Sequence, residues 1–193
     1  MAPLRIETAK LDSLDSERLA LGCFADERPP RGYCGFLDWR LNGLISRQIV
    51  QGRISGARLE KVLLSPPRRV PSGQIMLIGL GNIADLDYDV LYSGGYALAE
   101  TTSGLDWDAY AFEIPAAGRC GLELPVMTEA FMTGLYDYYE RKAGKWDRIR
   151  LVLIGDRGQI EEILGGLERF IKNTKDSMDI DALRKEVGPL TLF

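Results

Sequence analysis

Two runs constrain this chain more than any other feature, "QIMLIGL" (Gln74–Leu80) and "RIRLVLIGD" (Arg148–Asp156). Each is nearly all apolar and ends at a glycine. A strand with one wet face alternates polar and apolar residues, whereas one that is apolar throughout is buried on both faces. Such strands belong to a largely parallel sheet with helices on either side, so the pair points to α/β layering. "LRIETA" (Leu4–Ala9), "RLALGCFAD" (Arg18–Asp26), "RLEKVLLS" (Arg58–Ser65) and "AYAFEIP" (Ala109–Pro115) read as further strands.

Helical patterns fill the intervals: Gly35–Val50, Asp85–Thr102, Pro125–Lys142 and a last one after Asp156. In the last, Ile160, Ile163, Leu164, Leu167, Phe170 and Ile171 recur at helical spacing, with Asp156 as the expected cap. The pair Gly94-Gly95 lowers helix propensity and predicts close backbone packing. The composition changes after Thr174. One domain over 1–173 is expected, followed by a C-terminal extension over 174–193 with a short helix and the apolar tail "LTLF".

Several kinds of chemistry are excluded early. With 24 Lys and Arg against 28 Asp and Glu, the net charge of -4 gives no reason to expect nucleic acid. No apolar run approaches the roughly 20 residues that cross a bilayer, and the start lacks the apolar centre of a signal peptide. A cytoplasmic protein with no membrane partner is the expectation. Cys23, Cys34 and Cys120 form no CxxC pair and suit reduced thiols. The chain has no histidine, which removes His-based zinc sites and Ser-His-Asp or Cys-His catalysis. Asp85, Asp87 and Asp89, like Asp106 and Asp108, read as caps and solvated surface. No catalytic residue, metal ligand or cofactor is expected.

Two glycine turns follow the buried strands. Gly79, Leu80, Gly81 and Asn82 form one, a partial match to G-x-G-x-x-G/A that ends in Ala84; Gly155, Arg157 and Gly158 lie in the other. Either they are plain strand-to-helix turns, or their backbone N–H groups line a crevice for a phosphate-bearing ligand.

The Gly35–Val50 run carries two apolar stripes when read as one helix. Leu37, Leu41, Leu44, Ile45 and Ile49 should lie on the sheet. Phe36, Trp39, Gly43 and Val50 form a second stripe that must meet a loop, another helix or another chain. Together with Leu192 and Phe193 of the tail, they are the candidate contact surface.

These residues also carry a resemblance. The pattern Gly35-x-x-Asp38-Trp39-x-Leu41-x-Gly43-x-Ile45-Ser46-Arg47, the strand ending in "IGLG", and the later "LPVMTEAFMTGLYDYYERKAGKWDRIRLVLIGD" resemble the N-terminal domain of the leucyl aminopeptidase (cytosol aminopeptidase) family. The resemblance implies a three-layer α/β/α sandwich with a mixed central sheet, related to macro domains, whose relatives bind ADP-ribose and similar nucleotides. The metal-binding segments of that family's catalytic half do not occur in this sequence, so no residue inherits a peptidase role. The expectation is a non-catalytic, stand-alone homologue acting through self-association or docking on another protein, such as a full-length aminopeptidase. The alternative is a macro-domain-like binder of ADP-ribose or a related nucleotide.

Overall fold

The strands are β1 (Leu4–Glu7), β2 (Arg18–Cys23), β3 (Lys61–Leu64), β4 (Gln74–Gly79), β5 (Ala109–Glu113) and β6 (Arg150–Ile154). They form one six-stranded sheet in the order β1-β6-β5-β2-β4-β3. The computed structural model describes residues 4–8, 14, 16–66, 70–174 and 178–187. Every neighbouring pair is parallel except β3 with β4, so the sheet is mixed.

The period of two along each strand decides which layer a side chain joins. On β4, Ile75 and Leu77 enter the core beneath α1 (Gly32–Arg40) and α2 (Leu44–Val50). Met76 and Ile78 enter the larger core on the other face. There they meet α3 (Tyr88–Gly104), α4 (Leu124–Tyr136) and α5 (Ile160–Thr174). Both faces are covered, which gives three layers and accounts for the continuous apolar runs. The described part of the C-terminal segment packs on this same body. The helix α6 (Ile180–Val187) lies against β1 and α5, and Met178 and Leu183 are buried in the larger core.

Local structure departs from the sequence reading in several places, among them the end of the helix expected over Pro125–Lys142, which passes from α-helix to π-helix over Asp137–Lys142. The single helix expected over Gly35–Val50 is two helices, because Gly43 adopts φ +74° between α1 and α2. The strand expected over Arg58–Ser65 shortens to Lys61–Leu64, since the Glu60 carboxylate accepts the N–H groups of Ser55 and Gly56 and folds that segment into a turn. Asp87, not Asp85, caps α3, accepting the Val90 N–H at 2.8 Å. Asp156 makes no side-chain cap: a 3₁₀ turn, Arg157–Gln159, precedes α5 and leaves the Asp156 carboxylate exposed. The close packing expected at Gly94-Gly95 is present. A Cβ on Gly95 would lie 2.2 Å from the Phe131 carbonyl oxygen, so α3 and α4 touch backbone to backbone.

Candidate functional site

At the carboxyl ends of the parallel strands, β2 runs on into α1 on one face of the sheet. Its neighbour β5 runs on into α4 on the other face. A crevice opens where adjacent strands send their chains to opposite faces. Here it is a cleft of about 700 Å³. Tyr33 and Phe36 of α1 form one wall. Gly118 and Arg119, between β5 and α4, form another, and Asp156, Arg157 and Gln159, between β6 and α5, form a third.

The floor carries Glu113, the last residue of β5, a buried carboxyl in an otherwise apolar strand. The Gly22 N–H donates to its Oε1 at 3.3 Å. Burial pushes the Glu113 carboxyl up to about 8, against the opposing pull of Arg119 and of the Gly22 hydrogen bond. At neutral pH it is therefore mostly protonated. Burial also raises the Tyr33 phenol, and the charge of Asp156, joined by that of Glu113 once it ionises, raises it further, so that Tyr33 keeps its proton. The cleft thus combines neutral O–H groups with charged side chains at its mouth, a lining suited to hydrogen-bonding a polar ligand.

Glycine is required twice by position. Gly118 adopts φ +70°, and a Cβ there would lie 3.0 Å from Gln159 Nε2. Gly32 adopts φ +60°, and a Cβ there would lie 3.0 Å from Arg119 Nε. Arg119 is also ion-paired with Glu27, and its guanidinium lies 5.6 Å from the centre of the Phe24 ring.

The two glycine turns do not meet. They lie at the same edge of the sheet, but β5 and β2 stand between β6 and β4. Of the expected ligand-binding residues, Arg157 lines the cleft, with Gly155 and Gly158 in the same loop. The backbone donors of the other turn are engaged within the fold. Gly79 N–H donates to Glu60 O, Leu80 N–H to Cys23 O, and Gly81 N–H to Gly56 O. Asn82 Nδ2 donates to Asp85 Oδ2. Glu113, Tyr33, Gly118 and Arg119 are additions that the sequence reading missed. A lone acid ending the apolar run "AYAFE" was the available signal. Among the described residues, no group of three or more His, Cys, Asp and Glu side chains could hold a metal ion.

The expected contact surface divides. Phe36 and Trp39 pack together at 5.9 Å between ring centres and are 38% and 68% exposed. Val50, 87% exposed, ends the separate helix α2, and Gly43 forms the turn between the helices. Leu192 and Phe193 lie outside the described residues.

Residues 20–145 match the N-terminal domain of the cytosol aminopeptidase family. A probable cytosol aminopeptidase of Synechocystis sp. is 24% identical over 180 residues, covering 91% of this chain and 37% of that protein. The chain therefore spans little more than a third of that relative's length. An Oceanobacillus iheyensis macrodomain superposes with a TM-score of 0.68 at 13% identity, covering 88% of this chain and 93% of the other. A Trypanosoma brucei macrodomain in complex with ADP-ribose gives 0.66 at 12% identity, covering 83% and 67%. A tomato leucine aminopeptidase gives 0.56 at 22% identity, covering 86% of this chain and 35% of that one. These likenesses establish a macrodomain-like α/β/α fold. With more than half of its length matched to that domain, the chain belongs to the cytosol aminopeptidase family, of which it carries the N-terminal domain.

Proposed function

We propose that this domain binds a nucleotide of the ADP-ribose class in its cleft, and that it holds this ligand without converting it. The observation that carries the reading is the position of the cleft, at the carboxyl ends of β2, β5 and β6 where the chain leaves for opposite faces. Its volume, about 700 Å³, falls within the range of about 300–1,000 Å³ typical of small-molecule sites. Tyr33 and Phe36 offer aromatic surface for a base, and Arg119 and Arg157 offer cations for phosphate. The Trypanosoma brucei relative of the same fold is in complex with ADP-ribose, which supports the choice of ligand class.

Thermal denaturation and calorimetric titration with ADP-ribose test it. A ligand at about a hundred times its dissociation constant adds about 2.7 kcal/mol to stability, so a saturable rise in melting temperature is expected. Gly118→Val, which strains the loop and crowds Gln159, should weaken that response. No rise with ADP-ribose, ADP or adenosine rejects the reading.

A second reading is favoured by the exposed pair Phe36 and Trp39. A tryptophan 68% exposed on a folded surface is a typical anchor for protein contact. Here the domain would act in association, with a second copy of itself or with a full-length aminopeptidase. Light-scattering mass of the wild type and of Trp39→Asp decides the first case: a mass above the monomer that falls to the monomer in the variant supports it. Equal masses remove the surface as a self-interface.

A further inference from the structure

The last residue of β5 breaks the apolar pattern of its strand. Ala111 belongs to the core under α1 and α2 and Phe112 to the larger core, so the period of two turns Glu113 back toward α1. There it lines the cleft and is only 5% exposed. An apolar side chain would fill that place without the cost of desolvating a carboxyl. One oxygen has a structural partner, since the Gly22 N–H donates to Oε1. Among the described residues nothing donates to Oε2 or accepts from it, and the protein does not enclose that oxygen completely. Its open side is the cleft.

The two oxygens are therefore chemically distinct. Oε1 faces a donor and acts as an acceptor, so the proton of the neutral acid sits on Oε2, a hydroxyl donor with no acceptor among the described residues. The groups around it come from each neighbouring element. Tyr33 and Cys34 of α1 are both raised by burial and keep their protons. The Arg119 guanidinium, from the segment after β5, and the Gly22 N–H of β2 favour the ionised acid. The charges of Glu27, before α1, and of Asp156, after β6, oppose ionisation. A buried donor left unpaired is costly, and a ligand atom that accepts from it recovers that cost.

We propose that Glu113 is a specificity-determining residue of the cleft, whose carboxylic acid donates a hydrogen bond from Oε2 to an acceptor atom of the ligand, so that the ligand binds together with one proton. This rests on the nucleotide reading of the cleft. Once ionised, the same oxygen presents a negative charge to the lone pair of that acceptor, and the contact turns repulsive. Where the free protein has lost the proton, carboxylate, ligand and a proton from solvent combine into the one bound state.

Calorimetric titration of the full chain with ADP-ribose at about pH 6, 7, 8 and 9, each in two buffers of unlike ionisation heat, reads affinity and proton uptake together. In the wild type, affinity should stay level up to about pH 7 and be about tenfold lower at about pH 9, with uptake rising toward one proton per ligand. Glu113→Gln puts neutral N–H donors on the same stem and still accepts from the Gly22 N–H. It should bind within about threefold of the wild type at about pH 7, with a flat profile and no uptake. Glu113→Leu, of similar size and without the donor, should bind about tenfold or more weakly at about pH 7. If a variant fails to fold by circular dichroism, the proton count of the wild type carries the test. Wild-type binding that is flat with pH and takes up no proton, or a glutamine variant that keeps the wild-type profile, overturns this inference and leaves the cleft as a nucleotide site. A wild type that binds no ADP-ribose at any of these pH values overturns both.

Discussion

Asp38 and Ser46 are eight residues apart and joined by two hydrogen bonds: the Ser46 N–H donates to Oδ1 at 2.9 Å and the Ser46 hydroxyl to Oδ2 at 2.5 Å. An acid in α1 thus satisfies the start of α2 across the Gly43 turn. Around it Leu41 and Ile45 are buried, and Arg47 donates to the Asn42 carbonyl at 2.5 Å. The pattern that carries the family resemblance is therefore mostly a device for breaking one helix into two. The Trp39 carbonyl accepts the Asn42 N–H within the turn, but the Trp39 side chain is exposed and takes no part in it.

That division gives a contrast in stability. Asp38→Ala removes both bonds and leaves the Ser46 N–H at the start of α2 without its acceptor, and should cost about 1–2 kcal/mol. Trp39→Ala, at an exposed site, should change stability by no more than about 0.5 kcal/mol. Urea unfolding of both variants checks this. A loss for Trp39→Ala as large as that for Asp38→Ala would mean that the tryptophan is part of the core.

Glu113 sets a dependence on pH. Its carboxyl lies at about 8 in the folded chain against 4.5 as the ordinary value, chiefly through burial. Between those values the folded state holds a proton that the unfolded state has lost, so stability falls as pH rises, by up to about 1.4 kcal/mol per pH unit. The stabilising effect is complete below the ordinary value and is gone above the raised one. Glu113→Gln keeps an acceptor for the Gly22 N–H and removes the titration. Unfolding free energies measured from about pH 5 to about pH 8 should show a flatter profile for the variant, which becomes the more stable protein at the alkaline end.

The contact between α3 and α4 predicts intolerance of a single methyl group. A Cβ on Gly134 would lie 2.1 Å from the Tyr92 carbonyl oxygen, as close as the contact described for Gly95. Both neighbours are backbone and cannot rotate away. Gly95→Ala and Gly134→Ala should each destabilise by at least about 2 kcal/mol, despite the higher helix propensity of alanine. Melting temperatures against Gly104→Ala, where a Cβ meets nothing within 4 Å, provide the control.

The cysteines should separate by reactivity. Burial pushes the Cys23 thiol up to about 12, with a further contribution from Glu60, and burial also raises Cys34 strongly. Cys120 is only half-buried. A disulfide reagent at neutral pH should label Cys120 in the native protein, and Cys23 and Cys34 only on unfolding, because the thiolate is the reacting form. Peptide mapping of the labelled thiols checks the order.

What the sequence by itself determined here was what local composition and spacing can carry. The runs at Gln74–Leu80 and Arg148–Asp156 are apolar throughout because helices cover both faces of the sheet, and that pattern is visible without coordinates. Gly94-Gly95 announced a close helix contact for a similar reason: so poor a helix pair needs a packing cause. Boundaries were less legible. One left-handed residue, Gly43, separates two helices, yet its neighbours continue a single apolar period across the break. The site itself was decided by tertiary structure. Which loops share a crevice depends on strand order, a non-local property, and β5 and β2 come between the two glycine turns. Glu113 looked like one more acid on the chain. Burial at the end of a central strand, beneath a cleft walled by one helix and two connecting segments, is what holds its proton.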